Sequence, residues 1–343
     1  MVSDLIKKSK YKIKMVHRYL ILLVILTFLL SFVSVRFWIS RAKHAKLVAK
    51  DVHKLDSREV AEMGGLPILF AFAVGVFAFV AIRVFVFQSQ DFIVPIFAVL
   101  LSVFIAGIIG IVDDILGWKI GLAQWQKPVL TLLCAFPIMA VDAGTRIMFI
   151  PFFGNIDLGL IYPLLVIPLF LVVASNGTNM LAGFNGLESG LSMIMVSVIG
   201  FLSWKVGASY VAVLCAIFLA CVFAFWVFNK YPARIFPGDT FTYSAGAFIA
   251  AVAIFADLEK ALIILFIPFA IEFFLKLRGR FKKESFGRVL EDGSLDLRYS
   301  KFYGLEHVMI WVSKNLFGKA TERRVVYLLY GFQLIFVVLA FIL

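Results

Sequence analysis

Cysteine and histidine are scarce in this chain: three Cys and four His in 343 residues. Cys134, Cys215 and Cys221 all fall inside apolar runs, with no metal-ligand spacing. That excludes a disulfide framework and gives zinc no His or Cys cluster, so the thiols read as packing residues. Charge is thin as well. Asp, Glu, Lys and Arg make up 16% of the chain, against about 25% in soluble domains. No internal repeat or low-complexity tract stands out. A cleavable leader is not expected either: the first apolar run follows a basic tail and continues to Val35-Arg36 without a small-residue cleavage site, the pattern of a retained anchor.

What the chain has instead is apolar bulk. Hydrophobic residues make up 62% of it, and 38 residues are Phe, far above the apolar share of about 45–50% in soluble domains. The expectation is a polytopic membrane protein. A bilayer core takes about 20 apolar residues per helix, and that criterion gives ten spans, near 19–39, 66–87, 93–112, 128–141, 160–175, 188–204, 208–228, 240–256, 260–276 and 325–343. Helices are the only open-ended way to satisfy a backbone in lipid. The expected fold is therefore all-α, with residues 1–18 as a basic tail and 19–343 as one transmembrane domain carrying a long loop at 277–324.

Charge orients the spans. Ten spans put loops 40–65, 113–127, 176–187, 229–239 and 277–324 on one face. Together with Lys276 these loops hold 22 Lys and Arg, against Arg146, Lys205 and Lys260 in the loops of the other face. By the positive-inside bias the richer face is cytoplasmic. The tail runs against this assignment, since Lys7, Lys8, Lys10, Lys12, Lys14 and Arg18 fall on the other side. The net charge of +12 suits anionic headgroups and anionic ligands. Nucleic acid is the weaker reading, because the charges sit in short interhelical loops.

The unusual polar residues all fall on the Lys/Arg-rich face. Asp113-Asp114 closes the third span; such a pair collects Mg²⁺ or takes a proton, or is simply a helix end solvated among headgroups. Pro237-Gly238-Asp239-Thr240 opens the eighth, where Asp or Thr is a common cap. Joined by Asn179 from a third loop, these carboxylates become an oxygen ligand set suited to Mg²⁺. Between the fifth and sixth spans runs Ser175-Asn176-Gly177-Thr178-Asn179-Met180-Leu181-Ala182-Gly183-Phe184-Asn185-Gly186-Leu187-Glu188-Ser189-Gly190, whose glycines permit close backbone approach to a ligand and whose Asn side chains offer donors and acceptors. Asn176-Gly177-Thr178 matches the N-glycosylation pattern, a chance match on a cytoplasmic loop. Lys276, Arg278, Arg280, Lys282, Lys283 and Arg288 could clamp phosphates or face anionic lipid, and Lys127 is a second phosphate candidate. His307 reads as structural. Carboxylates, amides, glycines and cations around one face form a phosphoryl-transfer set, in which catalysis is mostly positioning and charge neutralisation.

At this point three motifs carry a resemblance. Asp113-Asp114 after its apolar run, Asn179 to Glu188, and Phe236-Pro237-Gly238-Asp239-Thr240-Phe241 resemble, in order, the polyprenyl-phosphate N-acetylhexosamine-1-phosphate transferases, from about residue 50 to the C-terminus. The chain looks like the archaeal and eukaryotic branch, the UDP-N-acetylglucosamine:dolichyl-phosphate transferases. Bacterial peptidoglycan members carry Asp where this chain has Ala182 and Asn185, and a His-rich motif absent here, which speaks against a MurNAc-pentapeptide substrate. The resemblance implies attack of a dolichyl- or polyprenyl-phosphate oxygen on the β-phosphorus of UDP-GlcNAc with release of UMP, the first step of lipid-linked oligosaccharide synthesis for N-glycosylation. It implies Mg²⁺ on Asn179 and Asp239, and Asp113 and Asp114 in lipid-phosphate activation. It further implies Lys127 on phosphate, Asn185 and Phe236 at uracil, Glu62 near the sugar and phosphate, and a homodimer. The family's Arg-His-Arg cluster has no identical counterpart; Arg278, Arg280, Lys282 and Lys283 are the cations nearest its place. The competing expectation is a transporter of nucleotide sugars or lipid-linked sugars, whose site belongs near mid-bilayer; a non-catalytic scaffold is a third.

Overall fold

A computed structural model describes residues 2–56, 58–150 and 154–342. Eight helices among them are long and apolar enough to cross a membrane. They lie in α1 (Val2–His44), α2 (Gly65–Ala81) with a wide turn to Val86, α3 (Ile93–Ile120), α6 (Ile167–Met180) with a wide turn before it from Tyr162, α7 (Leu187–Lys205), α8 (Ser209–Asn229), α9 (Gly238–Phe255) and α13 (Glu322–Ile342). The all-α membrane class holds.

Two of the ten expected spans differ. The run 128–141 is a shorter, broken helix: α4 (Gln126–Thr131), a tight 3-10 turn at Leu132–Ala135, then α5 (Phe136–Ala140). Pro137 has no N–H to return to the preceding turn, so the ladder narrows there. The run 260–276 breaks at Phe266 into α10 (Glu259–Leu265) and α11 (Ile267–Arg278). Pro268 removes a donor and its ring collides with the carbonyl four residues back. Apolar length alone does not see either break.

The loops carry three short antiparallel ribbons: β1 (Val48–Lys50) with β2 (Glu59–Ala61), β3 (Ile147–Ile150) with β4 (Gly154–Asp157), and β5 (Arg288–Val289) with β6 (Leu295–Asp296). A last helix, α12 (Leu305–Phe317), precedes α13.

α9 is the centre of the bundle, packed by α2, α3, α6, α7 and α8, and buried without a gap from Thr240 to Ile254. Its sequence explains the position. Between membrane helices the driving force is close packing rather than escape from water, and small residues let backbones approach. α9 carries Ala245, Gly246, Ala247, Ala250, Ala251 and Ala253. A Cβ on Gly246 would sit 2.3 Å from the Ala174 carbonyl oxygen of α6, and one on Gly110 of α3 would sit 2.4 Å from Thr240 Cα. These contacts draw the C-terminal ends of α3 and α6 against the N-terminal end of α9. The segment before α9 is tied down too. Phe236 N–H donates to the Ala61 carbonyl at 2.7 Å, and the N–H groups of Gly64 and Gly65 donate to Phe236 and Pro237, each at 2.9 Å.

The polar stretch after the fifth expected span is less of a loop than its composition suggests. α6 continues through Asn176, Gly177, Thr178 and Asn179 to Met180. The polar side chains are satisfied inside the bundle: Asn176 Nδ2 donates to the Val172 carbonyl at 2.9 Å and to Thr131 Oγ1 at 2.8 Å. Thr178 Oγ1 donates to the Ala174 carbonyl at 2.9 Å and the Thr242 carbonyl at 2.7 Å. The loop proper is Leu181 to Gly186, where Gly183 and Gly186 take φ values of 104° and 87°, a region open to glycine.

Candidate active site

Four helix ends place one charged cluster. Lys127, at the start of α4, directs Nζ to Asp113 Oδ2 at 2.6 Å and to Asp239 Oδ2 at 3.3 Å. Asn179, one residue from the end of α6, donates from Nδ2 to Asp239 Oδ2 at 3.2 Å. Thr242, one turn further along α9, donates to Asn179 Oδ1 at 3.1 Å. Asp113 Oδ1 accepts from Leu122 N–H at 2.8 Å, and its Oδ2 is 3.4 Å from the hydroxyl of the buried Tyr243. Asp113 is 7% exposed, whereas the Asp239 side chain keeps 28% of its surface open. Asp239 is thus the carboxylate a soluble ligand can reach.

Asp114 has a different task from its neighbour. Its Oδ1 accepts from Asp239 N–H at 2.7 Å, and its Oδ2 accepts from Thr240 N–H at 3.0 Å and Thr240 Oγ1 at 2.6 Å. These are the first-turn donors of α9, which have no partner inside their own helix. Negative charge is favoured there. Asp114 therefore caps α9 from another helix and fixes the start of α9 where Asp239 stands. Both oxygens are engaged in doing so.

The remaining expected site residues divide into two groups. Glu62 follows β2; its backbone is pinned by N–H donation to Leu47 O at 3.1 Å and by Trp38 Nε1 donating to its carbonyl at 2.9 Å. Burial, and then the charge of Asp114, raises its carboxyl above the usual range. Asn185 is 5% exposed: its N–H donates to Glu322 Oε1 at 2.8 Å and its Nδ2 to Asp51 Oδ2 at 3.0 Å. A carboxylate only accepts, so this contact fixes the amide's orientation. Phe236 is half-buried on the strand-like segment beside Ala61. Arg278, Arg280, Lys282 and Lys283 are all exposed, with the Lys283 ammonium 4.9 Å over the Tyr299 ring. Lys276 lies much deeper; its ammonium donates to the Met180 carbonyl, next to Asn179. His307 is buried, with Nδ1 accepting from Tyr303 N–H at 3.2 Å, which fits its structural reading.

Sequence reasoning missed the network behind Asn185. Asp51, His53 and Glu322 are buried together, with ligating atoms within 4.8 Å of one another. The Lys54 ammonium sits 3.6 Å from Asp51 Oδ2 and is hydrogen-bonded to Glu322, so it already fills the cation's place between the two carboxylates. Burial pushes the His53 imidazole down to about 4, which keeps it neutral beside Lys54. Nothing in the local pattern of residues 51–54 signals this. The partner, Glu322, is remote in sequence and reads there as an ordinary residue at a helix start.

The cluster can be tested for a metal by its donors. Asp113, Asp114 and Asp239 present three carboxyls against Lys127, and the Asn179 amide stands beside Asp239 with Nδ2 toward that carboxylate and Oδ1 on Thr242. A half-turn of the amide exchanges its two ends and would bring the oxygen to a cation. The surplus negative charge and all-oxygen donor set, without His or Cys, fit a hard divalent ion such as Mg²⁺. Asp113, Asp239 and Asn179 are the residues that fit it, since Asp114 is engaged by α9.

Comparison with known proteins agrees with the motifs. The pattern of glycosyl transferase family 4 matches residues 96–257. A protein of Saccharolobus solfataricus, bearing the provisional name UDP-N-acetylglucosamine–dolichyl-phosphate N-acetylglucosaminephosphotransferase, is 36% identical over 328 residues, covering 94% of this chain and 96% of the relative. One of the same name from Sulfolobus acidocaldarius is 31% identical over 94% of this chain and 95% of its own length. A phospho-N-acetylmuramoyl-pentapeptide-transferase of Halalkalibacterium halodurans is 31% identical over 75% of this chain and 81% of its own. With the three motifs in order, their side chains gathered at one end of a helical membrane bundle, and relatives matched over nearly their whole length, the chain belongs to glycosyl transferase family 4, the polyprenyl-phosphate sugar-1-phosphate transferases.

Proposed function

We propose that this protein transfers N-acetylglucosamine-1-phosphate from UDP-GlcNAc to dolichyl or another polyprenyl phosphate, releasing UMP, with Mg²⁺ as cofactor and the site open to the cytoplasm. The observation that carries the reading is the Lys127–Asp113–Asp239–Asn179 cluster. It combines a buried carboxylate, a reachable carboxylate, an amide and a cation where a lipid phosphate from the bilayer and a water-soluble nucleotide can meet. The first two relatives named above carry this activity in their names. A transporter's site belongs near mid-bilayer; here the polar residues gather at helix ends.

Mg²⁺, held by Asp239 and Asn179 with Asp113 beside them, would neutralise charge on the diphosphate as the bond to UMP breaks. The chain's own groups do the rest. Asp113, mostly shielded from water and paired with Lys127, orients or deprotonates the incoming lipid phosphate. Lys127 stands between both carboxylates and offers its remaining N–H to a phosphate oxygen, the positioning and electrostatic role that dominates phosphoryl transfer. Asp114 acts indirectly, by fixing the first turn of α9. Asn185, Phe236 and Glu62 are assigned to the nucleotide and sugar, and Arg278, Arg280, Lys282 and Lys283 to the outer diphosphate region. The test is UMP release by the purified protein with dolichyl phosphate, Mg²⁺ and either UDP-GlcNAc or UDP-GalNAc. UMP from UDP-GlcNAc, abolished by EDTA and in Asp239→Ala, is the expected outcome. No UMP from either sugar nucleotide, with folded protein and lipid present, refutes the reading.

A further inference from the structure

A second buried carboxyl pair lies outside the cluster around Asp239. Glu272 of α11 and Glu306 of α12 are both fully buried. A Cβ placed on Gly304 would lie 2.5 Å from Glu306 Oε2, 3.1 Å from Glu272 Oε1 and 3.2 Å from Ser285 Oγ, so three oxygens from three segments converge on one point. Glu272 Oε2 accepts from Leu305 N–H at 2.6 Å. Glu272 Oε1, both Glu306 oxygens and Ser285 Oγ have no hydrogen-bond partner among the described residues. One cation faces them: Lys276, on the turn of α11 after Glu272, with Nζ 3.4 Å from Glu272 Oε1. Glu188 of α7 is a further carboxyl near the pair, and burial holds His307 toward its neutral form.

Charge counting decides the state of the pair. One ammonium cannot neutralise two buried carboxylates, and an unpaired buried charge is costly. Two ionised carboxylates cannot hydrogen-bond either, since both only accept; one proton supplies the missing donor. Of the two, Glu272 has Lys276 and the Leu305 N–H on it, whereas Glu306 has neither. Burial, and then the Glu272 charge, holds the Glu306 carboxyl well above the usual range, the behaviour of like-charged carboxyls sharing one site.

We propose that Glu306 is a neutral carboxylic acid whose proton bridges to the Glu272 carboxylate. In this arrangement the pair is a positioning device: it fixes Lys276, whose ammonium holds the Met180 carbonyl and with it the last turn of α6 that carries Asn179. The first half stands on the carboxyl geometry alone; the second rests on the metal-binding role proposed for Asn179. Glu306 and Glu272 touch no substrate in this scheme and act through Lys276.

Two readouts separate these halves. The infrared spectrum of the detergent-purified protein at neutral pH is expected to show the carbonyl stretch of a protonated carboxylic acid that disappears in Glu306→Gln and persists in Glu188→Gln. Absence of any band sensitive to Glu306→Gln overturns the neutral acid. For the positioning role, the Mg²⁺ concentration giving half of the metal's thermal stabilisation is measured alongside that giving half-maximal UMP release. Lys276→Met and Glu306→Leu are expected to raise both by about tenfold or more. Glu306→Gln, which still donates to Glu272, is expected to return them toward wild type. An unchanged Mg²⁺ requirement in folded Lys276→Met overturns the positioning role, as does Glu306→Gln behaving like Glu306→Leu. Should the wild type release no UMP, the proposed function fails while the infrared result still decides the state of Glu306.

Discussion

Two adjacent aspartates illustrate how far apart neighbouring side chains can be in role. Asp113 faces Lys127, and Asp114 faces the backbone of α9. Asp113→Asn keeps an oxygen for Leu122 N–H and leaves Lys127 its contact with Asp239, so it is expected to cost less stability than Asp114→Asn and to lower UMP release by about a hundredfold or more, the scale of removing one preorganised electrostatic group. Asp114→Asn leaves at least one first-turn N–H of α9 facing an amide donor, so it is expected to destabilise the fold by about 1–3 kcal/mol. Activity should fall with it. Equal thermal midpoints for the two variants would refute the division of labour. His53 gives a pH prediction. Its folded value of about 4 lies below the ordinary 6.5, so between these values the unfolded chain binds more protons. Stability is therefore complete above about pH 6.5 and falls as pH drops toward 4, by on the order of 3 kcal/mol. His53→Gln should flatten the melting temperature across that window. The pairs Asp113–Asp239 and Asn179–Asp239 were legible in the sequence as candidates, because carboxylates and amides at membrane helix ends are expensive without a task. Asp114's capping role was not legible, since a cap supplied from another helix leaves no local pattern.

The elements that matter most are α3, α6 and α9, and their spacing is set by glycine. Gly110 and Gly246 sit where another backbone leaves no room for a side chain. Gly246→Val is expected to push α6 from α9 and reduce the yield of folded protein, read by monodispersity in detergent. Gly331→Val, at a site with open space around it, serves as the tolerated control. Helix existence was readable from apolar length for eight of ten spans. The breaks at Pro137 and Pro268 were written in the sequence but lost to a criterion that counts only apolar residues. The extension of α6 through Asn176–Met180 was hidden for the opposite reason: polar residues there find partners on α4 and α9, and that compensation exists only once the helices are packed.

At the scale of the whole molecule, chemistry collects at one end of the bundle. The ends of α3, α6 and α11 and the starts of α4, α9, α12 and α13 meet there, joined by the loop segments that carry Asp51, Glu62 and Asn185. The positive-inside bias predicts that this end faces the cytoplasm, which labelling tests. Because Cys134, Cys215 and Cys221 are all buried, single cysteines introduced at Arg280 and at Lys205, both exposed, can be labelled in sealed vesicles with low background. The two sites are expected to react from opposite sides, and reaction from the same side would refute the orientation. Composition, apolar run length, loop charge and three ordered motifs were enough to determine the membrane class, the family and most of the residues around Asp239, since each is a property of local sequence. Which carboxylate caps and which is reachable, which cation of the 276–288 cluster reaches the end of α6, and the buried partnerships of Asn185 with Glu322 and of Glu272 with Glu306 were decided by tertiary structure alone. Those are contacts between segments tens to more than a hundred residues apart, and the cost of burying a charge takes effect only when packing removes the water.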